Sequence, residues 1–273
     1  MAARTPSERR QLTPFTALPG ELPLHDQQDL MAYPFFSLSK SKRVVPIETC
    51  SGPDFVRVEA ALAFGIATIW DADLLIWAGS QLIEAEARGL PTSRRIRGLP
   101  HRILQALQRG RSERDYRRLR AALDRLEATT VLTSIRSLDG VQRHRFSWLS
   151  EWQELVDGAG RSHGIELVLP DWFYQGVLDQ RLILRIDPAY FALTGGIERW
   201  LYRIVRKHAG RQPAGWRFSF RQLHAKSGSL ARFSDFALDL RRIAAGPGLP
   251  GYGLMVERDP AGEEHLSFLK RAP

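Results

Sequence analysis

Residues 112–128 read SERDYRRLRAALDRLEA, and they run without a break into 129–136, TTVLTSIR. After a short turn, 143–149 continue as RHRFSWL. In the first stretch Tyr116, Leu119, Leu123 and Leu126 recur at spacings of three and four, one apolar stripe of an α-helix. Arg114, Arg118 and Arg125 project to the other side, with Arg117 beside them. Ser112 is placed to cap this helix, and Glu113 and Asp115 in its first turn complement the positive end of the helix dipole. The two following runs are β-branched, aromatic and alternating. They are joined through Leu138-Asp139-Gly140, whose Asp-Gly is a strong hairpin signal. A helix followed by a hairpin forms the second half of a winged helix.

Working outward, a shorter helix is expected over Pro100 to Gln108, with proline in its first turn and Gly110 after its end. Before it, Asp71 is placed to cap a helix reaching Arg88, apolar nearly all round at Leu74, Leu75, Ile76 and Trp77 and therefore buried. Upstream, Tyr33 to Leu38 reads as a strand. Val44 to Ile47 and Phe55 to Glu59 read as a strand pair around Ser51-Gly52-Pro53. Residues 1–24, with four prolines and no periodicity, are expected to form a flexible N-terminal arm whose Arg4, Arg9 and Arg10 offer weak contacts to DNA. The single cysteine, Cys50, excludes an internal disulfide and a cysteine-based zinc cluster.

The order of elements repeats downstream. Glu151 to Asp157 reads as a short helical turn and Gly158 to Gly164 as a linker, giving domains over 25–160 and 161–273. Strands are expected at Ile165 to Leu169 and Leu182 to Ile186, flanking three adjacent aromatics, Trp172, Phe173 and Tyr174, that fill a joint or core. Ile197, Trp200, Leu201, Ile204, Val205 and His208 then form a helical stripe entered at Gly195-Gly196 and closed by Gly210, with Arg199, Arg203, Arg206 and Lys207 on the other faces. Trp216 to Phe218 reads as a strand. Ser219 and Gln222 form a capping-box pair for a helix reaching Lys226, and Gly228 makes the turn. A third helix from Ser229 has a core stripe of Phe233, Phe236, Leu240 and Ile243 and turns Ser234, Asp235, Arg241 and Arg242 outward. Tyr252 to Glu257 and His265 to Lys270 form its hairpin. The fold class expected is α+β: two tandem winged-helix domains, each a three-helix core plus a β-hairpin wing.

Charge is concentrated rather than spread. Residues 94–125 carry eleven arginines against three acids, a net +8 in a chain of +9. Such a local footprint suits a phosphate backbone. In each unit the third helix can enter the major groove of duplex DNA while its first turn and the wing hold phosphates. The candidate DNA-binding residues are Arg114, Arg117, Arg118 and Arg125 with Arg143 and Arg145 of the first hairpin, and Lys226, Ser229, Arg232, Ser234, Asp235, Arg241, Arg242 and Arg258 in the second unit. The first set suits backbone contacts; the mixed second set can discriminate base edges. Arg232, Arg241 or Arg242 can pair with guanine, and Asp235 can accept from cytosine or orient an arginine.

At 273 residues, with 44% hydrophobic and 25% charged residues, the chain has the composition of an ordinary globular protein of two domains. It has no run of about 18 apolar residues and no signal-peptide pattern, which predicts a cytoplasmic protein. There is no phosphate-binding loop of the Gly-x-x-x-x-Gly-Lys type, and the seven histidines show no pair at metal-ligand spacing. No cofactor or metal is expected. A nicking enzyme would need clustered histidines beside a nucleophilic tyrosine, and Tyr116, Tyr190 and Tyr202 have no such company.

Six stretches together resemble the plasmid replication initiator protein A family: Pro34-Phe35-Phe36-Ser37-Leu38-Ser39-Lys40, Ile69-Trp70-Asp71-Ala72-Asp73, Leu90-Pro91-Thr92-Ser93-Arg94, His144-Arg145-Phe146-Ser147-Trp148, Leu193 to His208, and Leu223-His224-Ala225-Lys226-Ser227-Gly228-Ser229. The resemblance covers roughly residues 25–271. It implies two winged-helix domains that bind repeated origin sites (iterons), help melt an adjacent AT-rich region and recruit the host replication initiator and replicative helicase, without enzyme activity. Carried onto this chain, the base-reading helix is 229–245 and the backbone-gripping helix 112–128. The resemblance also implies exchange between DNA-binding monomers and a homodimer that represses its own promoter. The residues alone leave open the alternative of a tandem winged-helix transcriptional repressor, and they argue against the alternative of a different class, an origin-nicking enzyme.

Overall fold

The structure, a computed structural model, describes residues 13–136, 143–209, 212 and 215–271. Its elements in chain order are β1 (Phe15–Thr16), β2 (His25–Gln27), α1 (Gln28–Ala32), β3 (Ile47–Ser51), β4 (Asp54–Ala60), α2 (Ala72–Ala87), β5 (Arg95–Gly98), α3 (Pro100–Ala106) and α4 (Glu113–Ala128). Then follow β6 (Thr129–Thr133), β7 (His144–Ser147), β8 (Glu151–Val156), β9 (Ser162–Val168), α5 (Asp171–Leu178), β10 (Ile183–Arg185) and α6 (Gly196–Ala209). The chain ends with β11 (Trp216–Ser219), α7 (Phe220–Ser227), α8 (Phe233–Ala245), β12 (Tyr252–Arg258) and β13 (Glu264–Lys270). The fold is a mixture of α and β, as expected.

The repeated order is present: α2, β5, α3, α4, β6, β7 is matched by α6, β11, α7, α8, β12, β13. Strand pairing distinguishes the two copies. In the second, β11 joins β13 and β12 in one antiparallel sheet. In the first, β5 leaves the β6–β7 hairpin and joins β1, β9 and β8, while β6 and β7 extend a sheet begun by β3 and β4.

Local signals explain the helix boundaries. Ser112 Oγ accepts from the Asp115 amide, and the Asp115 carboxylate accepts from the Ser112 amide, so two otherwise orphaned donors are satisfied at the start of α4. Ser219 and Gln222 make the same reciprocal pair at α7. Gly228 ends α7 at φ +60°, and a Cβ there would sit 2.9 Å from Pro34 and 3.0 Å from Ile47. Backbone conformation and close packing both require glycine. Gly196 opens α6, where a Cβ would run into the Leu38 carbonyl.

Several expectations change in three dimensions. Tyr33 to Leu38 is a largely buried, irregular segment, not a strand; its one ladder contact is the Ser37–Thr68 bridge, and Phe35 and Phe36 pack on Trp148. Val44 to Pro46 lie in a loop, and the paired strand starts at Ile47. Asp71 does not cap α2: its carboxylate accepts from Thr68 and from Arg125. Glu151 to Val156 is strand β8, because its alternating residues pair with β9; the expected linker is the turn and first residues of that hairpin. The division at 160/161 therefore falls inside a β-hairpin.

Residues 13–24 are tied down rather than free. Phe15 is buried, Phe15–Thr16 pairs with Ile96–Arg97, and the Leu18 amide donates to Gln81. The expected contacts of Arg4, Arg9 and Arg10, the Leu138-Asp139-Gly140 turn and the Gly210 stop lie outside the described residues. The three aromatics of α5 do fill a joint: Trp172 stacks on Phe146 at 4.8 Å and carries the Arg136 guanidinium 3.9 Å above its ring.

Candidate nucleic-acid interface

Helix α4 buries Leu119, Ala122, Leu123 and Leu126 and keeps Arg114, Arg117 and Arg118 exposed. Arg117 and Arg118 approach Glu113 and Asp115 only at 3.9 and 3.8 Å, contacts of the exposed kind that contribute little and exchange easily for a phosphate. Nearby on the hairpin, Arg143 lies over the Phe55 ring, and exposed Arg145 is 3.7 Å from Glu59.

Much of the linear arginine excess is paired with acids elsewhere in the fold. Arg94 pairs with Asp171, Arg95 and Arg97 with Glu166, Arg109 with Asp73, Arg120 with Glu154 and Arg125 with Asp71. All five acids lie outside residues 94–125, so the +8 counted along the sequence overstates what faces solvent. Arg125 in particular does not join the exposed face, because two hydrogen bonds hold it on a carboxylate that is 3% exposed.

Around α8, Arg232 stands at the N-cap without capping through its side chain, and Ser234, Asp235 and Arg242 are exposed. Ser234 Oγ reaches Asp235 at 3.4 Å, and Arg242 is 3.6 Å from Asp239. Ser229 is partly drawn inward, accepting from the Ala231 amide. Lys226 is half-buried with its ammonium over Phe218. Arg241 and Arg258 both lean on Glu264, so neither is presented as a free cation. From 257 to 264 the hairpin carries Glu257, Asp259, Glu263 and Glu264 against Arg258, a charge that opposes the expected phosphate grip of this wing.

Local sequence patterns do not reveal the connections that fix these two faces on one body. Arg199 and Arg203 of α6 are buried. Arg199 Nη1 binds both oxygens of Asp73 on α2 at 2.7 and 2.9 Å, and Arg203 Nη2 binds Asp26 of β2 at 2.6 Å. Burial pushes the Asp73 carboxyl up, against the pull of Arg199 and Arg109. Their helical stripe placed these arginines on outer faces; the packing of α6 against the first half makes those faces internal. The available signal was Asp73 itself, a carboxylate set within an apolar helix start, which demands a buried cation.

Tyr190 and Tyr202 are buried, and that burial pushes both hydroxyls above their ordinary range, away from nucleophilic use. Among the described residues, one group has the ligand types and spacing for a cation: Asp259, Glu263 and His265 at the second hairpin tip, with ligand atoms within 4.8 Å. The Asp259 carboxylate already accepts from the Glu263 amide. No described helix is long and apolar enough to cross a membrane.

A family model for replication initiator protein A matches residues 25–254, which include both helix–hairpin copies as far as β12. The chain belongs to the replication initiator protein A family. A protein of Wigglesworthia glossinidia brevipalpis whose name assigns it to replication is 31% identical over 245 residues, 88% of this chain and 86% of that one. Two solved structures of domains 2 and 3 of RctB share the fold. One has a TM-score of 0.65 at 14% identity, covering 90% of this chain and 99% of its own. The other scores 0.56 at 13% identity, covering 90% and 97%. The family resemblance carried by the six sequence stretches is thus borne out for this replication initiator protein A relative.

Proposed function

We propose that this initiator-family chain is a non-enzymatic, sequence-specific binder of double-stranded DNA that acts at the repeats of a plasmid origin. The observation carrying the reading is that α4 and α8 each keep a polar, arginine-bearing face exposed while standing between a short preceding helix and an antiparallel hairpin. That order of elements supports a winged-helix reading, in which such a helix fits the major groove. The α4 face, with Arg114, Arg117 and Arg118, suits uniform phosphate contact; Arg232, Ser234, Asp235 and Arg242 offer both donors and acceptors to base edges. Bound side by side on repeats, such molecules would strain an adjacent AT-rich tract and gather the host initiator and helicase. A homodimer that represses the gene's own promoter belongs to the same proposal.

The test is binding to the DNA that flanks the gene. Direct repeats of about 20 base pairs, roughly two helical turns, should be bound in preference to scrambled duplex of equal length. Preference for a lone inverted repeat at the promoter, with no affinity for direct repeats, would replace initiation by repression. Equal affinity for every duplex would remove the sequence-specific reading.

A further inference from the structure

Glu264, the first residue of β13, grips two arginines from different elements. From α8, Arg241 donates Nε to Oε1 at 3.0 Å and Nη2 to Oε2 at 2.6 Å. From the end of β12, Arg258 donates Nη2 to Oε1 at 3.4 Å. The carboxylate is largely enclosed, its side chain 15% exposed, while Arg241 and Arg258 are 45% and 70% exposed. Both arginines are thus partly open to solvent beside α8 and its hairpin; Arg241 is committed to the carboxylate through two bonds, and Arg258 leans on it through one longer contact. The surrounding charge reinforces this, since Glu257, Asp259 and Glu263 share the hairpin with Glu264.

We propose that Glu264 is a specificity-determining residue, withholding Arg241 and, more weakly, Arg258 from the phosphates of non-cognate DNA. Nonspecific binding is set almost wholly by how many phosphates the protein neutralises, each releasing condensed counterions. A phosphate seeking Arg241 must displace a bidentate carboxylate, a strong, directional partner for guanidinium. It must also approach an acidic hairpin. The affinity that every duplex shares is thereby held down, while contacts from Ser234, Asp235 and Arg242 to base edges are untouched. Specificity is a difference of affinities, and a repulsive element aimed at the wrong partner raises it as surely as a new contact to the right one. The hydrogen bonds from Arg241 hold the Glu264 carboxyl below its ordinary range, so the gate stays charged at neutral pH.

This inference rests on the duplex-binding reading, and the experiment separates the two. Binding of the full chain to a scrambled duplex and to a duplex of the origin repeats is measured by fluorescence anisotropy across a salt series. Glu264→Gln keeps the shape and removes the charge; Glu264→Asp keeps the charge. The Gln variant should bind the scrambled duplex roughly three- to tenfold tighter, with a salt slope steeper by about 0.9 to 1.8, one or two more phosphates. Its repeat-to-scrambled ratio should fall by a similar factor, and the Asp variant should stay near wild type. Glu264→Ala removes the charge with a different side chain and should tighten scrambled-duplex binding and steepen the slope in the same way, so the test stands even if the Gln variant does not fold. A folded Gln or Ala variant with wild-type affinity and slope overturns the proposal. If the wild-type chain binds neither duplex, the functional reading itself has failed.

Discussion

Arg125 on α4 and Asp71 at the start of α2 form a two-pronged pair, Nε to Oδ2 at 2.8 Å and Nη2 to Oδ1 at 2.7 Å. The pair ties the most arginine-rich helix of the chain to the start of α2. Arg125 therefore has a structural task, unlike Arg114, Arg117 and Arg118 on the open side of α4. Replacing Arg125 by alanine should lower the urea midpoint and leave the duplex affinity of the folded fraction near wild type. Replacing Arg114, Arg117 and Arg118 together should do the reverse, weakening all duplexes alike and reducing the salt slope by about 0.9 for each phosphate no longer neutralised. A triple variant that folds and keeps its full slope means that the face is merely solvated.

Asp73, buried itself, balances the buried Arg199 and the partly exposed Arg109. Asp73→Asn removes the charge and leaves two guanidinium groups beside it, one of them buried. Breaking a buried ion pair from one side costs about 3–5 kcal/mol, enough to unfold a marginal domain. Equilibrium denaturation should read a loss of that size, and a loss under about 1 kcal/mol, the range of an exposed pair, would mean that water compensates the arginines.

These pairs mark where the sequence stopped being legible. The helices α2, α4, α6, α7 and α8 could be read because caps and apolar periods are local: Ser112 with Asp115, Ser219 with Gln222, and the left-handed Gly228 all lie within a turn of what they control. Strand partners are not local. The alternation in Glu151 to Val156 acquires meaning only once β9 lies beside it, and Phe15 is a core residue only because β5, some eighty positions on, offers it an edge. Tyr33 to Leu38 read as a strand from its apolar, aromatic content, but that content does not say whether the backbone is paired. At the candidate interface, residue types were readable and their availability was not. Arg125 and Arg241 are each neutralised by an acid far away in sequence, and a linear charge count treats them as free.

Burial, and then the positive charges of Lys207 and Lys226, push the His208 imidazole down from 6.5 to about 4. The ring packs against Trp216 and Phe218 at 5.6 and 5.0 Å. The fold favours its neutral form, so its contribution is complete above pH 6.5 and is lost as pH falls from there toward 4. His208→Phe keeps the ring packing and removes the titration. Its stability against pH should be flatter than wild type across that window, while unchanged curvature would place the acid sensitivity elsewhere.

A strand-cleaving role for this chain should fail a direct assay. With magnesium or manganese, the purified protein should neither nick supercoiled origin DNA nor hydrolyse ATP, since Tyr190 and Tyr202 are buried and no phosphate loop occurs in the sequence. Nicking above background that disappears with Tyr116→Phe would promote the enzyme alternative.

The division of labour between α4 and α8 is tested most directly by competition between an origin-repeat duplex and a scrambled one, at fixed salt, for single alanine variants at Arg232, Ser234, Asp235 and Arg242. Circular dichroism first establishes that each variant is folded. At least one substitution should lower the preference for the repeat by about 1–3 kcal/mol, the worth of a good base contact, with a smaller effect on the scrambled duplex. If all four keep the wild-type ratio while changes at Arg114, Arg117 or Arg118 abolish it, sequence is read by α4 and the account is reversed.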